Sequence, residues 1–242
     1  MPTQKDKYRL IKKERIEMRK KTIKHLYVIA VATLAILALP IRTFASSVVE
    51  SESIGNLEIV EQNDFQELID KIIIIKEENP ALNEEQLVNL IDENLNKEKG
   101  IMDIWNSLTE TEKKLVIRYP FDALKVNQAR NIATTQTEKK FASNGLGDRS
   151  DAFRHGIWNA EMTVLIGKEK AELFATAHED KDINGVEADG YSKAEHKAMD
   201  LHNNEVGRNI GEANSSASED EMADIIYQEI YSPDTLFVWL HE

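Results

Sequence analysis

Asp151-Ala-Phe-Arg-His155-Gly-Ile-Trp-Asn159-Ala-Glu-Met-Thr-Val-Leu-Ile166, followed by Gly167, decides the fold class. Phe153, Ile157, Ala160 and Val164 recur at helical spacing and make one apolar stripe. Asp151, His155 and Asn159 stand at i, i+4 and i+8, which stacks a carboxylate, an imidazole and a carboxamide on a second face. Trp158 lies between the two faces. The pattern predicts a helix from Ser150 to Ile166.

Two further helices follow it. Lys168 to about Glu179 turns Ala171, Phe174 and Ala175 inward and ends on His178-Glu179. Ser192 and Glu195 form a capping box for the next, in which Met199, Val206 and Ile210 share one side. His196, Asp200 and Asn204 repeat the i, i+4, i+8 stacking, with Asn203 and Gly207 beside them.

The same signals run upstream and downstream. Asp64 opens an apolar helical run through Phe65, Leu68, Ile69 and Ile72 that Pro80 ends. Asn83 with Gln86 caps a helix that Gly100 closes, and Thr109 with Glu112 caps another. Pro120 starts a helix toward Thr135, and Ser218 with Glu221 starts the last. Strict alternation is absent and no repeat is found. The expected fold is all-α, a compact multi-helix bundle.

The N-terminus bears on the compartment. Residues 5–24 hold ten Lys or Arg against Asp6, Glu14 and Glu17; an apolar run from Leu26 to Ile41 and Thr43-Phe-Ala45 follow. A basic region, a short apolar region and small residues before a cut describe a secretory signal peptide over 1–45. The alternative is an uncleaved membrane anchor through 26–41, although the run falls short of the roughly 20 residues a span needs. The organisation is then signal peptide 1–45, tether 46–62, an N-terminal helical region 63–104, and a helical domain 105–242. The full chain carries a net charge of −13; without residues 1–45 it holds 19 basic and 40 acidic residues, a net −21. That surface repels nucleic acid, and membrane contact would come only through an uncleaved signal segment. Cysteine is absent, so an exported chain must rely on its core or on bound ions.

Chemistry concentrates between His155 and His202, which hold four of the six histidines, each near carboxylates or carboxamides. Such a mixture suits a site that binds a metal or moves protons. His155 is the candidate general base or ligand, with Asp151 to orient it, and His178, Glu179 and Asp200 are further ligand or acid/base candidates. If the helices face each other, zinc or another divalent metal can sit in the bundle interior on His155, His178 and Asp200. The other reading is a buried network in which Asn203 and Asn204 fix helix register and His178 caps its helix. Between the second and third helices, Asp180, Asp182 and Asn184 followed by Gly185 match the first half of an EF-hand-like calcium loop over 180–190, although Tyr191 occupies its twelfth position. A serine-nucleophile elbow, a P-loop, a dinucleotide fingerprint and His-Glu-x-x-His are all missing.

Asp-Ala-Phe-Arg-His-x-x-Trp-Asn-Ala (151–160), Ala-His-Glu (177–179) and Met-Asp-Leu-x-Asn-Asn-x-x-Gly-Arg (199–208) resemble the signature of an uncharacterised domain family of exported bacterial proteins. Leu-Thr-Glu-Thr-Glu-Lys-Lys-Leu (108–115) and Tyr-Pro (119–120) resemble its upstream half, so the likeness covers roughly 105–240. The resemblance implies an extracellular role and points to Asp151, Arg154, His155, His178, Glu179, Asp200, Asn203, Asn204 and Arg208. The resulting expectation is a secreted metal-dependent hydrolase acting on an envelope or extracellular substrate. Its competitor is a non-enzymatic, partner-binding module whose polar cluster is structural.

Overall fold

A computed structural model describes residues 51–95 and 99–242. The expected signal peptide and the first residues of the tether lie outside the described residues. Nine helices are found among the latter: α1 Ser51–Glu78, α2 Glu84–Leu95, α3 Lys99–Ser107, α4 Glu110–Arg118, α5 Pro120–Phe141, α6 Arg149–Ile166, α7 Lys168–His178, α8 Lys193–Ala213 and α9 Glu219–Ile230. Among the described residues the only β feature is an isolated bridge between Val186 and Ser192. The all-α expectation therefore stands, and none of these helices is long and apolar enough to cross a membrane.

Local chemistry explains the starts. Thr109, Ser192 and Ser218 each cap their helix through a reciprocal box with the Glu three residues on. Asn83 and Gln86 exchange bonds of 3.0 and 2.9 Å. Each cap is worth about 1 kcal/mol. Pro120 sits in the first turn of α5, where its missing N–H costs nothing.

Three boundaries differ from expectation. Helix α1 begins at Ser51, so residues 51–62 are helical rather than a tether, and Asp64 lies inside the helix instead of opening it. Gly100 does not close α2; it falls in the first turn of α3, a nine-residue helix the periodicity did not reveal. Helix α5 continues past Thr135 to Phe141, where Ala142 adopts a left-handed φ of 55°.

Helix α6 is the axis of the domain. It packs against α5, α7, α8 and α9, so nearly every residue from Ser150 to Thr163 is buried, rather than one stripe. Its contact with α8 is backbone to backbone. A Cβ on Gly207 would stand 2.2 Å from the Gly156 carbonyl oxygen, and one on Gly211 would stand 2.5 Å from that of Ala160. Glycine at these two positions lets the helices touch, and that approach turns the polar faces of α6 and α8 toward each other.

The chain after α9 returns as a strap. Phe237 is buried and lies against Gly156. The amides of Leu240 and His241 donate to the Gly147 carbonyl at 2.7 and 3.3 Å. The Arg149 guanidinium lies over the Tyr231 and Trp239 rings and pairs with Glu242 at 2.6 Å.

Candidate functional site

Where α6 meets α8, one imidazole stands among three carboxylates. His155 Nε2 is 3.3 Å from Asp200 Oδ1 and 3.6 Å from Asp151 Oδ1; its Nδ1 is 3.9 Å from Glu179 Oε1. Asp151, His155 and Glu179 are buried. Asp151, His155 and Asp200 each offer an atom within 4.8 Å of the others, a spacing that can hold a metal ion.

The elements hold these groups by separate means. Asp151 sits in the first turn of α6, which Asp148 caps. Its Oδ2 accepts the Gly147 N–H at 2.7 Å, and Arg154 donates to its Oδ1 and to the Gly145 carbonyl. Glu179 caps the C-terminus of α7 and brings its carboxylate under His155.

A buried relay of amides sets the imidazole tautomer. Arg208 donates to Asn159 Oδ1 at 3.0 Å; Asn159 Nδ2 donates to Asn204 Oδ1 at 2.6 Å; Asn204 Nδ2 donates to Glu179 Oε1 at 3.3 Å. Guanidinium at one end has only donors and the carboxylate at the other accepts, so both amide orientations are determined. The Asn204 oxygen therefore faces His155 Nδ1 at 3.0 Å, and Nδ1 must be the N–H. The Nε2 lone pair is left aimed between two carboxylate oxygens.

That arrangement is repulsive unless a proton or cation lies between them. Asp200 Oδ1 is buried without a hydrogen-bond partner. Burial pushes the Asp200 carboxyl up to about 6, and the Glu179 and Asp151 charges add to the rise while His155 and His196 oppose it. The donor set fits a borderline divalent ion, and Nδ1–H on an amide carbonyl is how metal-bound histidines are commonly oriented.

Other expected residues go elsewhere. His178 does not join the triad: its Nδ1 meets Glu112 Oε1 at 2.9 Å, its Nε2 meets Lys181 Nζ at 3.1 Å, and Trp158 stands edge-on between it and His155. Burial would raise the Glu112 carboxyl, but the His178 hydrogen bond and charge outweigh it and hold the group below the usual range. Sequence reading gave Glu112 only its capping role, since the partner lies 66 residues away.

Asn203 is fully buried and pairs with the backbone of Val238 in both directions, at 2.8 and 3.0 Å, so it grips the strap. His196 pairs with Asp189, which also meets His241. The 180–190 loop does not converge as a ligand cage. Asp182 Oδ1 accepts from Asn184 N and Nδ2 at 3.0 and 2.6 Å, and Asp180 accepts from Thr111 at 2.5 Å.

His155 and Arg154 also border an open cavity of about 420 Å³ lined by residues of α1 and α3 to α7. His178 and Glu112 complete its polar side, and Trp158 lies between His155 and His178. Neither the curated proteins nor the solved structures include a significant match to this chain. A family match spans residues 113–233, from Lys113 in α4 to Pro233 in the strap, and takes in the triad, Glu179 and the whole relay. The chain thus belongs to the family described as Domain of unknown function (DUF6973).

Proposed function

We propose that Asp151, His155 and Asp200 hold a divalent cation, zinc or a chemically similar ion, in a hydrolase acting on an envelope or extracellular substrate. The supporting observation is the His155 Nε2 lone pair aimed between Asp151 and the unbonded, buried Oδ1 of Asp200. Three protein ligands leave coordination positions open, as catalytic sites require. A cation there supplies Lewis-acid polarisation and an acidified bound water. Asn204 keeps His155 in the ligating tautomer, Gly147 and Arg154 hold Asp151, and Glu179 is placed to accept a proton or complete the ligand set.

Elemental analysis of the purified protein and of Asp200→Asn tests this reading. Wild type is expected to retain about one equivalent of metal, and the variant to lose it while melting no lower, because the substitution removes one of three clustered negative charges. Wild-type protein that takes up no zinc, manganese or calcium on titration overturns it. The cation is assigned to the triad and not to the loop, so Asp182→Ala should leave the metal content unchanged.

The burial of the relay, complete at Asn159 and Asn204, favours a second reading, a structural network in a non-enzymatic module. In that case Asp200→Asn changes no metal content, and truncating Asn159 costs roughly 1–3 kcal/mol per stranded group. Export with cleavage after Ala45 is part of the proposal and rests on the basic and apolar N-terminal segments. N-terminal sequencing of protein recovered outside the cell is expected to begin at Ser46; an intact Met1 in membranes points to the anchor.

A further inference from the structure

The cavity that His155 borders has charged groups in its wall, yet each of them is already answered. Arg154 pairs with Asp151 and donates to the Gly145 carbonyl. His155 stands among Asp151, Asp200 and Glu179, and His178 is held by Glu112 at 2.9 Å. Arg130 has a partner of its own. A charged head entering the cavity must break one of these pairs or lie unpaired beside it, and both are costly away from water. What remains of the wall is neutral. Phe65, Val116, Trp158 and Phe174 are buried apolar side chains drawn from four helices. Helix α5 adds Ala123, Asn127 and Thr134 at i, i+4 and i+11, one face of short side chains along about 16 Å of helix axis. Protein interiors hold few voids larger than a water, so about 420 Å³ bounded by such residues is an exception to close packing.

We infer that this cavity binds an uncharged amphipathic molecule, an acyl or aryl body with a neutral ester or amide head. Phe65, Val116 and Phe174 cover the body, while Asn127 and Thr134 offer a carboxamide and a hydroxyl to the head. Trp158 Nε1 donates to the Val126 carbonyl at 3.4 Å, which leaves the carbon surface of the ring for the ligand. The volume lies within the range of small-molecule sites. At about 30 Å³ per water-sized group it holds roughly 14 non-hydrogen atoms, a single short chain or ring system. The inference names the substrate class of the proposed hydrolase, because His155 belongs both to the triad and to this wall, and it rests on that reading for turnover. Binding itself rests on the cavity, so a metal-free triad would not undo it.

Titration of the full-length protein in the presence of chelator, followed by calorimetry and tryptophan fluorescence, compares octanamide with octanoate and octylamine. One saturable site is expected, with octanamide bound about tenfold more tightly than either ion. Val126→Trp and Thr134→Phe each fill the space, and whichever of them melts as wild type does should abolish binding. Absence of saturable binding, an octanoate or octylamine affinity equal to that of octanamide, or binding untouched in a folded filling variant overturns the inference. The octanamide titration is repeated with zinc in place of chelator. Equal affinity in the two supports a wall that works without the cation, even where the triad proves metal-free. Binding seen only with zinc overturns it in favour of a head held by the ion alone.

Discussion

At the residue scale the relay from Arg208 to Glu179 decides which nitrogen of His155 can act. Asn204→Ala removes the acceptor that fixes Nδ1–H, so metal affinity is expected to fall by about 10–100-fold with little change in the other ligands. Competition with a chromogenic chelator measures it; unchanged affinity refutes the orienting role. Glu161 sets a pH dependence away from the centre. Burial, then the nearby Glu219 charge, pushes its carboxyl up to about 7. A carboxyl raised in the native state makes the fold prefer the proton, so that stability is full below about 4.5 and is lost as pH climbs toward 7. After allowance for solvent screening, the loss is about 2 kcal/mol. Melting of wild type and Glu161→Gln should diverge across that window, with the variant the more stable at pH 7. The spacing of Asp151, His155 and Asn159 on one helix, and of Asp200 and Asn204 on another, was legible in the sequence. The Glu112–His178 pair was not, since neither residue's neighbours report a partner 66 positions away.

At the element scale the junction of α6 and α8 governs the site. Gly207→Ala forces a methyl against the Gly156 carbonyl, and backbone cannot rotate away as a side chain does. A loss of about 3 kcal/mol is expected, with weakened metal binding as His155 and Asp200 separate. Thermal unfolding and metal content of the same sample check both; a neutral effect contradicts the close approach. Capping boxes at Thr109, Ser192 and Ser218 could be read because their chemistry lies within four residues. Helix α3 escaped because nine residues give periodicity little room, and fully buried Trp105 meets Asp92 of α2 and Lys113 of α4, contacts that its own nine residues do not announce. Helix α6 shows the opposite limit: one stripe was expected, but neighbours on all sides bury the polar face as well.

For the whole molecule, the strap ties the last residues to the first turn of α6. Asn203, read from the sequence as one of the amides that fix helix register, pairs with Val238, and nothing in residues 199–208 announces that partner. Removal of residues 232–242 should leave helix content nearly intact by circular dichroism while lowering metal affinity, since Gly147 loses the bonds that steady its carbonyl. Equal affinity in the truncated chain would show that the loop holds Asp151 unaided. The all-α class followed from local periodicity alone; the convergence of three carboxylates on one histidine required the tertiary approach of α6, α7 and α8.

The Gly147 peptide faces two ways, its N–H toward Asp151 and its C=O toward Leu240 and His241. A chain made from its N-terminus emerges with α6, α7 and α8 complete well before that carbonyl meets its donors. The bonds from Leu240 and His241 to Gly147 are therefore among the last contacts near the triad that can form as the chain is made. If the triad holds the proposed cation, a nascent chain is expected to bind it weakly until residues 237–241 have folded back onto α6.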